Sequence, residues 1–182
     1  MSHLKKTVTS AMLIALCAVL PLMFHAIGPF AGRAFLPMHI PVLLAGLICG
    51  PVFGLIVGLT GPLLSSLTTG MPPMGAAPVM MVELGTYGLV AGIMIKLVHT
   101  RQSVADLYIS LLAAMIVGRI VAGIAQALFF YGGTYIMAAW VASYFTLSVP
   151  GIVIQLMLIP VLVVALERER VIPPRYSVSA GT

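Results

Sequence analysis

Apolar residues in this chain do not alternate with polar ones; they run on for the length of whole helices, and the polar residues collect between the runs. Stretches of about 20 apolar residues are long enough to cross a hydrocarbon core of about 30 Å. Read for such stretches, the sequence predicts six spans: Leu4 to Phe24, Met38 to Gly50, Pro51 to Leu67, Pro78 to Val98, Ala105 to Tyr131 and Ala142 to Glu167. Between Leu36 and Gly70 no charge interrupts the pattern. As one helix, at about 1.5 Å per residue, that stretch would be about 50 Å long, too long for a single crossing. It must fold back, and Cys49-Gly50-Pro51 is the natural break, because proline lacks an amide proton and clashes with the preceding turn.

Charge fixes the expected orientation. Lys and Arg concentrate in cytoplasmic loops, and six spans with the N-terminus inside place Lys5, Lys6, Lys96, Arg101, Arg168, Arg170 and Arg175 on that side, against Arg33 outside. The expected fold is therefore an all-α integral membrane protein, a single domain over 1–182 forming a six-transmembrane-helix bundle with both termini cytoplasmic. One span fewer would put Lys5 and Lys6 opposite the C-terminal arginines. The first run is expected to be retained rather than cleaved, since Pro21 to His25 and Gly28 to Arg33 offer no small-x-small site. The tail 171–182, with Pro173 and Pro174, is expected to be loose at the inner surface.

Composition agrees: 61% hydrophobic against 7% charged residues, far more apolar side chain than a soluble domain of 182 residues could bury. Three charges fall away from the span ends: Arg33, Glu83 and Arg119. A charge at membrane depth costs about 2.5 to 3.5 kcal/mol even on the lenient insertion scale, so these are the first places to look for function. Glu83 lies about one and a half turns into the fourth span, with Thr86 and Tyr87 beyond it; packing within the bundle is the competing role for this carboxylate. Gln126 near the outer end of the fifth span and Gln155 in the sixth are placed to face it. Met71, Met74, Tyr131, Tyr135 and Trp140 would supply apolar and stacking walls. Arg119, near the midplane, either anchors a substrate carboxylate or balances Glu83, and the two are expected to differ in depth by about two turns. His39 opens the second span, where capping competes with ligand contact.

The connections Gly28 to Pro37 and Thr68 to Pro78 are rich in Gly and Pro and longer than a helix turn requires, which suggests a lid. Small residues four apart mark close helix faces: Gly46, Gly50, Gly54 and Gly58; Gly88 and Gly92; Ala114, Gly118 and Ala122. Ala11 and Ala15 share this spacing on the first turns of the first helix, where a partner protein could reach them. Cys17 and Cys49 have no metal-type spacing and read as packing residues. There is no paired-carboxylate cluster, P-loop, His-Glu-x-x-His or Gly-x-Ser-x-Gly, so neither an enzyme nor a bound cofactor is expected. No basic stripe with interleaved aromatics points to nucleic acid.

Five features together resemble a known family: the six-helix size, Ala11-x-x-x-Ala15, the block LPMHIPVLLAGLICG at Leu36 to Gly50, GPLLSSLTTGMPPMG at Gly61 to Gly75, and ELGTYGLVAG at Glu83 to Gly92. Over roughly residues 5–168 the chain resembles the substrate-binding S component of an energy-coupling factor (ECF) vitamin transporter, and within it the subgroup of pantothenate and cobalamin-precursor (alpha-ribazole) carriers. The resemblance implies a multi-pass protein of the bacterial cytoplasmic membrane. It would bind a small vitamin-like substrate in the outer half of the bundle, under the first and third loops. It also implies that the Ala11 and Ala15 face docks on a membrane coupling protein of the EcfT type, joined to two cytoplasmic ATPases. Glu83, Tyr87, Arg119, Gln126, Gln155, His39, Arg33, Met71, Met74 and Trp140 are the expected substrate-binding residues. A self-sufficient transporter would need coupling-ion sites and usually an inverted repeat, which the two halves do not show. An intramembrane enzyme would need a catalytic pair at one depth.

Overall fold

The computed structural model describes residues 1–25, 34–130 and 147–175. Their regular structure is all helix, with no strand among them. In chain order the helices are α1 (His3–His25), α2 (His39–Leu44, continued by a π turn Ala45–Cys49), α3 (Pro51–Thr69), α4 (Ala77–Leu97), α5 (Ser103–Ala125, continued by a π turn Gln126–Phe130) and α6 (Val149–Arg168). Proline stands in the first turn of α3, α4 and α6, where its missing amide proton would be unpaired anyway.

Successive helices run in opposite directions between a basic end, carrying Lys5, Lys6, Lys96, Arg101 and Arg168, and a far end. The chain turns from α2 into α3 at Gly50, whose φ of 99° lies where side chains are strained. There Gly46 and Gly54 come so close that a Cβ on Gly54 would lie 2.7 Å from the Gly46 Cα. The same face of α3 crosses α4 with backbone against backbone. A Cβ on Gly88 would meet the Gly54 carbonyl oxygen at 2.2 Å, and one on Gly58 would meet the Leu84 oxygen at 2.3 Å. On the other side of α3, Gly61 admits the Cys17 side chain of α1. Large apolar residues such as Ile109, Leu112, Ile116, Ile120 and Ile124 form an exposed stripe along α5, as expected of a surface facing lipid tails.

Five helices are long and apolar enough to cross a membrane, but His39–Cys49 is not. At about 1.5 Å per residue it covers about 16 Å, roughly half a hydrocarbon core, so the stretch expected to be the second crossing is too short to be one unaided. The helix starts at His39, one residue after the expected Met38, and the chain before it, helical at Ala34 and Phe35 and turned at Leu36 to Met38, packs within the bundle. Phe35 packs on Phe24 with ring centroids 5.3 Å apart, and Gly151 of α6 leaves room for the Ala34 and Phe35 carbonyls. Leu36 takes a left-handed φ of 50°, strained for a residue with a Cβ.

Beyond α6 the chain does not leave the bundle at Val171, as the expected loose tail would. Ile172 is buried, and Arg175 Nε donates to Asp106 Oδ2 at 2.6 Å while its Nη2 donates to the Val98 carbonyl. Asp106 Oδ1 accepts from Thr100 N at 2.8 Å and Thr100 Oγ1 at 2.6 Å. A fully buried carboxylate thus holds the α4–α5 turn and the chain after α6 together.

Candidate functional site

The low start of α2 puts His39 level with Glu83, which stands six residues, about 9 Å, inside the far end of α4. His39 Nε2 is 3.5 Å from Glu83 Oε1. One turn deeper on α4, the Tyr87 hydroxyl lies close enough to the Glu83 carboxylate to feel its charge and accepts from Arg119 Nε of α5 at 3.0 Å. Arg119 Nη2 donates to Ser148 Oγ, just before α6, at 3.1 Å. The His39 ring also meets Tyr87 edge-on, with centroids 5.0 Å apart. A continuous polar chain, His39 to Glu83 to Tyr87 to Arg119 to Ser148, therefore crosses four segments of the bundle. None of its five members is more than 5% exposed.

Glu83 and Arg119, expected about two turns apart in depth, both come close to the same hydroxyl. Antiparallel α4 and α5 place Tyr87 between them, and the long arginine side chain spans the rest. Gly118 makes this possible, since a Cβ there would lie 2.7 Å from the Tyr87 ring. His39 meets Glu83 through Nε2, which leaves Nδ1 for a different partner. Nδ1 is buried and has no partner among the described residues. A buried polar atom of this kind calls for an explanation, and a hydrogen bond to a ligand supplies one.

Gln155 is buried on α6, where its Nε2 donates to the Leu36 carbonyl at 3.5 Å; the same carbonyl accepts from His39 N at 3.1 Å. Gln155 thus supports the strained segment that sets His39 in place. Gln126 sits partly buried in the π turn after α5. Met71 and Met74 lie on the connection between α3 and α4, with half or more of the Met74 surface open. That connection is tied to α3: Ser65 Oγ donates to the Met71 carbonyl at 2.6 Å and Ser66 Oγ to the Pro72 carbonyl at 2.7 Å. Arg33, Tyr131, Tyr135 and Trp140 lie outside the described residues. Ala11 and Ala15 are far from the polar chain, on the face of α1 turned away from the bundle, while Ser10, Leu13 and Cys17 face inward.

Sequence reasoning missed Ser148 and the role of Gly118. A serine before a proline-started helix reads as a cap, and the glycine reads as one of many small residues. Among the described residues, no group of three or more His, Cys, Asp or Glu converges as a metal site would.

Compared with known families, the chain matches the one described as ECF transporter, substrate-specific component, over residues 5–166. No curated protein and no solved structure matches it significantly.

Proposed function

Because the chain belongs to the substrate-specific components of ECF transporters, we propose that it is the subunit that captures a vitamin or related micronutrient for an importer energised by partner ATPases. The observation that carries this reading is the buried polar chain, with His39 Nδ1 left without a partner among the described residues, set beneath the far end by the shortness of α2. With the basic end in the cytoplasm, that site lies in the outer half of the bundle. Ala11 and Ala15 would present a flat face on α1 to the membrane coupling protein.

The charges also bear on the ligand. Arg119 donates to Tyr87, beside which Glu83 stands, so the described part of the site sets one carboxylate against its one guanidinium and offers hydrogen bonds rather than a lone cation. That supports a neutral heterocycle bearing hydroxyl or N–H donors, such as alpha-ribazole, ahead of pantothenate, whose carboxylate would need an unbalanced positive charge. Since the polar chain is closed to solvent, entry requires movement of the segments above it, and release should be slower than that movement alone.

The test is equilibrium binding by the purified chain, without partners or ATP, to alpha-ribazole, pantothenate and a panel of other vitamins. Tight binding of one compound is expected. Failure to bind any member of the panel, by protein that remains folded, would sink the capture role; tight binding of pantothenate would replace the neutral-ligand reading.

A further inference from the structure

The basic end carries a second constellation that the capture of a substrate does not use. A cleft of about 300 Å³ opens where α1 begins, α4 ends and α2 turns into α3; its walls include Lys6, Lys96, His99 and Arg175, and its floor includes Leu47 and Ile95. Among the described residues no carboxylate lines it. Arg175 is engaged by Asp106 at one edge, whereas neither lysine has an ion-pair partner among the described residues. Both lysines converge on the turn between α2 and α3. Lys6 is close enough to Cys49 for its charge to be felt there, and Lys96 Nζ lies 3.7 Å from where a Cβ on Gly50 would stand.

Two ammonium groups held over one turn repel each other, and an anion between them removes the repulsion. The apolar floor selects among anions. Leu47 and Ile95 belong to helices at the level where a membrane's hydrocarbon begins, so an anion whose tail is apolar fits better than a free one. We infer that this cleft binds the phosphate of an anionic phospholipid, with the phosphate between Lys6 and Lys96 and the first methylenes on Leu47 and Ile95. The bound lipid joins α1 to the α2–α3 turn and to the end of α4. The inference needs only that these helix ends lie at a membrane surface, whichever side that is, so it stands apart from the identity of the captured substrate.

Native mass spectrometry of the full chain, with phosphatidylglycerol, phosphatidylcholine or glycerol 3-phosphate added, tests it. Each lysine near an anionic surface changes binding by roughly fivefold. Lys6→Gln with Lys96→Gln should therefore lower phosphatidylglycerol affinity roughly 25-fold, while Lys6→Arg with Lys96→Arg retains it. Phosphatidylcholine should bind weakly to all three proteins. Equal phosphatidylglycerol binding by the wild type and the glutamine pair overturns the site, and glycerol 3-phosphate binding as tightly as the lipid overturns the lipid assignment. Should the glutamine pair not fold, the wild-type chain decides alone: reductive methylation of Lys6 and Lys96 should be slower in phosphatidylglycerol nanodiscs than in phosphatidylcholine ones. Equal rates in the two overturn the proposal.

Discussion

Two faces of α4 use the same kind of residue to opposite ends. Toward α3, Gly88 and Gly54 remove side chains so that backbone meets backbone, with a would-be Cβ 2.2 Å from a carbonyl oxygen. Toward α5, Gly118 removes a side chain so that another can enter, the Tyr87 ring, whose hydroxyl accepts from Arg119 beside Glu83. The first interface gains dispersion along the whole crossing and tolerates no movement. The second encloses a polar chain and can be perturbed without losing the crossing. Small residues four apart therefore announce a close approach but not what fills it.

Substitutions that add volume separate the two faces. Gly88→Ala should lower stability by at least about 3 kcal/mol, because the colliding atoms are backbone and cannot rotate away; Gly88→Leu should leave no folded protein. Thermal unfolding in detergent measures this, and an unshifted transition for Gly88→Ala would mean that the crossing is looser than described. A third use of small residues sharpens the comparison. Ala11 and Ala15 face out of the bundle, so Ala11→Trp with Ala15→Trp should abolish uptake in cells while leaving fold and substrate binding nearly intact. Normal uptake by that variant would remove α1 as the docking face.

Smaller effects are expected at the second face. Glu83→Gln retains shape and removes the charge shared by His39 and Tyr87, so substrate binding should weaken by about 1.5 to 3 kcal/mol by calorimetry. Unchanged affinity would make Glu83 a packing residue only. Gly118→Ala should cost about 1 to 2 kcal/mol of stability, since the Tyr87 ring can shift where a backbone cannot. Its signature is loss of affinity out of proportion to loss of stability, and a loss of stability with affinity intact would show that Tyr87 does not position the site.

The apolar runs made the long helices legible because a bilayer demands length and hydrophobicity of each span. The turn at Gly50 was legible for the same reason, as a stretch too long for one crossing. The left-handed φ of Leu36 was not legible, because nothing in the Gly28 to Pro37 connection sets that residue apart from its apolar neighbours. In the site, His39, Glu83 and Arg119 stood out because ionisable groups are expensive in lipid. Their connection did not, since it depends on Tyr87 reaching between two helices and on Ser148, whose neighbours in sequence give no hint of Arg119. Asp106 was overlooked because a carboxylate in the first turn of a helix looks like a favourable dipole contact, whereas its partner is 69 positions later.

That partner has a consequence for how the protein is made. Asp106 is threaded into the membrane with α5, but Arg175 follows α6 and leaves the ribosome only after the last span has been synthesised. Until then the α4–α5 turn holds this carboxylate through Thr100 N and Oγ1 without the guanidinium. The segment after α6 thus closes on a turn already in place, and the clasp of Arg175 on Asp106 and the Val98 carbonyl is a step that follows insertion rather than one that guides it.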